Sequence, residues 1–143
     1  KAVALKTNLA ALTNTLSKEE VRKADKFSTV NDIPLFPSCK GEKGDDQLDC
    51  FNTEMMKHIQ EHFRYPDDAL VNKIQGEVWV RFIIDKDGNV TNIKALGPKG
   101  AKILNDEAIR VVSNLPKFIP GVKDGEPTSV KYGFPINFSL EDN

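Results

Sequence analysis

No apolar run in this 143-residue chain approaches the ~20 residues that span a bilayer. Charge imbalance is also missing: 20 Lys and Arg against 21 Asp and Glu leave a net −1. That excludes the usual nucleic-acid binder, whose affinity comes from a basic surface that displaces counterions. No G-x-S-x-G, G-x-G-x-x-G or Walker sequence occurs, so no nucleophile elbow or phosphate cradle is written into the chain. Histidine and cysteine each occur twice, too few to suggest a metal cage by number alone. There is no initiating methionine. The chain begins at Lys1, as a mature or excised piece would, with any leader or anchor lying upstream.

What is present reads as one domain, residues 31–143, preceded by an arm, residues 1–30. In the arm, Leu5, Leu9, Leu12 and Leu16 recur at helical spacing, and Ser17 with Glu20 forms a capping box, which predicts helix over 1–26. Two prolines make "NDIPLFPSC" an extended lead-in. Cys39 and Cys50 flank a polar, glycine-containing loop. A disulfide is the preferred reading and implies an oxidising compartment; two unrelated thiols are the alternative. "FNTEMMKHIQEHFRYP" reads as a helix capped by Asn52 or Thr53 and ended by Pro66, with Phe51, Met55, Met56, Ile59 and Phe63 on one face.

"QGEVWVRFIIDKDGNVTNIKAL" reads as a hairpin turned at Asp87-Gly88, with Val78, Val80, Phe82 and Ile84 on one face. A second helix, capped by Asn105 and ended by Pro116, carries Leu104, Ala108, Val111 and Leu115. The cleanest strand comes last: Val130, Tyr132, Phe134, Ile136, Phe138 and Leu140 alternate with Lys131, Gly133, Pro135, Asn137 and Ser139. Pro135 has no N–H to give a ladder, which predicts an edge position. An edge accepts an added strand from a partner, or a second copy in a homodimer, unless the proline blunts it. The expected fold is α+β: two helices on one face of a small, about three-stranded antiparallel sheet, with a helical N-terminal arm.

Two stretches imitate metal sites. In "IIDKDGNV", Asp85, Asp87 and Asn89 alternate as calcium ligands do. With Gly88 at the sixth loop position, Ile83 and Lys94 fall where ligands must stand; starting at Asp85, Val90 and Leu96 do. Both registers fail, and a turn is the better reading. "HIQEH" matches the H-x-x-E-H pattern, with His58 and His62 as zinc ligands and Glu61 as base. No third ligand is singled out and the helix ends soon after, so surface histidines are the better reading and a small zinc hydrolase the less favoured one. No metal, cofactor or catalytic residue is therefore assigned.

From Tyr65 to Leu140 the chain resembles the C-terminal domain of the TonB energy-transducer family, in the form found in Bacteroidetes-type bacteria. The residues that carry this are "YPDDA", "IQGEVWVRFIIDKDGNV" and "LNDEAIRVVSNLPKFIPGVKDGEPTSVKYGFPINFSL". The resemblance implies a non-enzymatic periplasmic domain, anchored through absent upstream regions to the inner membrane and to an ExbB–ExbD motor. It implies that the domain grips the TonB box of an outer-membrane transporter by strand addition. The partner-binding residues would be Ser129, Val130, Lys131, Tyr132, Gly133, Phe134, Ile136, Asn137 and Phe138, with His62 and Arg64 ahead of the Tyr-Pro. The competing expectation is a stand-alone periplasmic domain that binds cell wall or another envelope protein.

Overall fold

The computed structural model describes residues 2–7, 25–26 and 30–141. Its centre is an antiparallel sheet built on β3 (Gly76–Ile84), which pairs on one side with β4 (Val90–Leu96) and on the other with β7 (Val130–Glu141). Beyond β7 lie β1 (Ala2–Thr7), antiparallel to it, and the two-residue β2 (Asp25–Lys26), parallel to it. Helices α1 (Asp45–His62) and α3 (Lys102–Ser113) carry the apolar stripes that cover one face of the sheet, while the short α2 (Asp67–Val71) follows the Tyr-Pro. This is the α+β arrangement expected from the two periodicities.

The core is where alternation met helical spacing. Phe51, Met55 and Ile59 from α1 and Leu104, Ala108, Val111 and Val112 from α3 bury with Val78, Val80, Phe82 and Ile84 of β3 and Tyr132, Phe134, Ile136 and Phe138 of β7. Aromatic edges join these layers: Phe51 meets Tyr132 at 5.1 Å and Phe36 meets Phe118 at 4.7 Å between ring centres. Cys39, in the 3-10 turn Pro37–Cys39, is bonded to Cys50 in α1, which pins the extended lead-in to the helix. The lead-in also bridges the segment after α3, Asp32 to Val122 and Leu35 to Ile119.

"IIDKDGNV" is the tip of the β3–β4 hairpin. The Asp85 carboxylate accepts from the N–H groups of Asp87 and Asn89, both at 2.9 Å, so the acidic oxygen serves the turn. Gly88 has φ +88°, and a Cβ there would fall 1.9 Å from the carbonyl oxygen of Phe118. The Phe118 N–H donates to the Gly88 carbonyl at 2.8 Å, so backbone meets backbone at this point.

Several boundaries differ from the sequence-based expectation. Helix α1 begins at Asp45 rather than near Asn52, because Gly44 breaks the chain at φ +60° and Asp45 and Asp46 sit where the helix dipole favours negative charge. It stops at His62, with Phe63 already extended. Helix α3 begins at Lys102, which places Asn105 inside it rather than at its cap. A small hairpin of β5 (Gly121–Lys123) and β6 (Glu126–Thr128), not anticipated from the sequence, stands between α3 and β7. Residues 2–7, expected to be helical, are extended. Pairing with the long open side of β7 overrides a weak local helix preference. Leu9, Leu12, Leu16 and the Ser17–Glu20 pair lie outside the described residues.

Candidate functional site: the outer edge of the last strand

β7 runs antiparallel to β3 without a break in register, from Val130 opposite Ile84 to Phe138 opposite Gly76. Along a strand, successive residues turn their backbone groups to opposite sides. The Leu140 N–H donates to the Gln75 side chain at 2.7 Å, just ahead of β3, so even-numbered residues of β7 face β3. Lys131, Gly133, Asn137 and Ser139 therefore aim their N–H groups at the outer edge. Pro135 belongs to that outward set. Its missing donor leaves the β3 ladder whole, which is how a proline sits inside this strand.

The side chains expected to touch a partner are mostly turned inward. Val130, Tyr132, Phe134, Ile136 and Phe138 are buried in the core, and Lys131 and Gly133 are buried as well. Ser129 and Asn137 are half-buried. What this strand offers a partner is main chain. Nor is β7 the bare edge that Pro135 suggested: β1 and β2 lie along its outer side.

His62 and Arg64 are brought to the same end of β7 by their neighbours. The extended segment after α1 alternates: the rings of Phe63 and Tyr65 pack on Phe138, with centres at 5.3 and 5.9 Å, while Arg64 is exposed. The Tyr65 hydroxyl donates to the Ile74 carbonyl and is pushed up in pKa by burial. Glu107, buried on α3, accepts the Arg64 N–H at 2.7 Å and is gripped by Arg110 at 2.7 and 2.8 Å. Arg110 also donates to the His62 carbonyl. These charge-assisted bonds fix the path of residues 62–64. Nothing in the sequence singled out Glu107 for this role. The i, i+3 spacing of Glu107 and Arg110 was its one visible trace.

The zinc pattern is spent on structure. His58 is buried, its Nε2 paired with the Val111 carbonyl at 2.8 Å, and His62 Nδ1 is paired with the His58 carbonyl at 2.9 Å. Their rings stack 4.1 Å apart. Burial, and then the neighbouring His62, hold the His58 pKa below its usual value against the opposing pull of Val111 and Glu61. Among the described residues no group of three or more His, Cys, Asp or Glu is placed to hold a metal. Nor is any described helix long and apolar enough to cross a membrane.

The chain is similar to known proteins. The chain is 33% identical over 93 residues to protein TonB of Helicobacter pylori strain J99, covering 65% of this chain and 32% of that protein. It is 27% identical over 113 residues to protein TonB of Vibrio cholerae, covering 79% and 46%. The NMR solution structure of a Helicobacter pylori TonB C-terminal domain is similar at 29% identity with a TM-score of 0.48, over 73% of this chain and 89% of that one. The chain thus spans about a third to a half of the length of these curated relatives. The family described as Gram-negative bacterial TonB protein C-terminal matches residues 61–140, which is more than half of the chain and holds β3, β4, β7 and the Glu107 clamp. The chain belongs to that family.

Proposed function

We propose that this domain is the gripping end of a periplasmic energy transducer. It takes the TonB box of an outer-membrane transporter as an added strand on the outer edge of β7 and passes on work from an inner-membrane ExbB–ExbD motor. The observation that carries this reading is a 12-residue strand whose apolar side chains from Val130 to Phe138 are buried and whose outward N–H groups form a row interrupted at Pro135. Main-chain pairing of that kind tolerates varied partner sequences. A strand pulled along its length also loads its hydrogen bonds together. Family membership supports the partner class, and the Cys39–Cys50 bond fits an oxidising periplasm. His62 and Arg64, held beside Phe138, would contact the transporter flanking the box.

Titration of a synthetic TonB-box peptide into isotope-labelled protein, followed by amide NMR, tests this. Shifts are expected within residues 129–138 and largest at Lys131, Gly133 and Asn137, whose N–H groups face outward. An unchanged spectrum at saturating peptide would overturn the reading.

A further inference from the structure

The edge assigned to the partner is already occupied by the chain itself. β1 lies antiparallel along it from Thr7 opposite Ile136 to Ala2 opposite Glu141. β2 lies parallel to it at Val130 and Lys131. The pairs Lys6–Asn137, Ala4–Ser139 and Ala2–Glu141 are the ones whose backbone groups face each other, since Leu140 faces β3. β1 ends at Ile136, one residue short of Pro135, where no outward donor exists to continue the ladder. Among the described residues, this leaves Gly133 as the outward N–H of β7 that neither β1 nor β2 covers.

We infer that residues 2–7 are a resident strand, and that a partner segment binds by exchanging with them rather than by adding to an open edge. The inference rests on the strand-addition reading above and concerns its regulation. An incoming extended peptide that reaches Asn137 must break the bonds of Lys6 and Ala4 to make its own. Bonds lost and gained are then of one kind and nearly equal in number, so main-chain pairing alone gives little net drive. The resident strand is also tethered, which sets its effective concentration far above that of a free competitor. Two things follow. Affinity depends on what the partner adds outside the ladder, for which His62 and Arg64 are the nearest groups. And any pull or contact that draws the N-terminal segment away opens the edge. Pro135 marks the end of the exchanged stretch, and the parallel pair at 130–131 marks a second, shorter contact on its far side.

The test keeps the whole chain and replaces two donors of β1 by proline, Ala4→Pro with Lys6→Pro. Among the described residues, the buried apolar core lies within residues 35–138. Two readouts are taken on both proteins: amide hydrogen exchange at Asn137 and Ser139, and affinity for the same TonB-box peptide. A resident strand predicts slow exchange in the parent and fast exchange in the variant. If it covers the edge roughly 90% of the time, the variant binds the peptide about tenfold more tightly. Equal exchange in both proteins overturns the inference, as does equal affinity with binding intact; strand addition itself then stands. Binding by neither protein overturns the strand-addition reading, and this inference with it.

Discussion

The two sides of this sheet are built for different ends. β4, on one side, is seven residues long, carries Asn92 at φ +53°, and meets β3 through a register shift between Arg81 and Ile83. Its last residue, Leu96, is 75% exposed. Such irregularity, with Lys94 in the same strand, is how an edge is kept from pairing. β7, on the other side, is twelve residues long, regular in register and rooted by five buried apolar side chains. Its outer edge is paired with the chain's own β1 and β2. One edge is spoiled and the other is guarded, and a guarded edge is one that has kept its capacity to pair.

The largest contrast should come from truncating one side chain on each strand. Phe138→Ala removes the ring on which Phe63 and Tyr65 pack and should cost about 3–5 kcal/mol. Leu96→Ala should stay within about 0.5 kcal/mol, as exposed sites do. Urea unfolding of both variants measures this, and similar losses would mean that β4 is rooted as deeply as β7.

A smaller effect is expected from Glu107→Ala. It leaves the Arg64 N–H and the Arg110 guanidinium without their carboxylate and should cost about 2 kcal/mol. The Arg64 amide resonance should move, while the β4 amides should not. By contrast, Asp106→Ala, which breaks the exposed pair with Lys102, should change stability by at most about 0.5 kcal/mol.

The smallest effect is that of pH. The His58 pKa is lowered from 6.5 on folding, so the unfolded chain takes up its proton first as pH falls. The contribution of neutral His58 is therefore complete above 6.5 and is lost as the pH drops from there toward the folded-state pKa. Melting temperature should decline between about pH 7 and pH 5, and His58→Gln should flatten that decline. Since His58 lies between α1 and α3, both edges should loosen together. Loosening confined to β7 would show that the histidine acts on the guarded edge.

The parts of this molecule legible in its sequence are those where one rule acts alone. Strict alternation marked β3 and β7, and turn chemistry marked Asp85–Asn89. Where two rules compete, the sequence misleads. Residues 2–7 belong to a stretch with leucines at helical spacing, yet a long neighbouring edge makes them strand. Asn52 and Asn105 resemble caps, yet Asp45 and Asp46 open the first helix about two turns upstream, and the second starts at Lys102, soon after Gly100 turns the chain at φ +82°. Pro135 signalled an exposed edge, which held for the direction of its missing N–H but not for the occupancy of that edge. The clamp of Glu107 on Arg64 spans 43 residues, and its one local trace is the i, i+3 spacing of Glu107 to Arg110.

One consequence lies in the pairing of Trp79 with Pro135 across β3 and β7, and with Leu96 across β3 and β4. Trp79 is the chain's single tryptophan. It stands one strand in from the guarded edge, opposite Pro135, one residue beyond the point where the resident strand stops. The domain therefore carries its own fluorescent reporter. Emission followed in a stopped-flow experiment should give the rate of strand exchange directly, with no label attached.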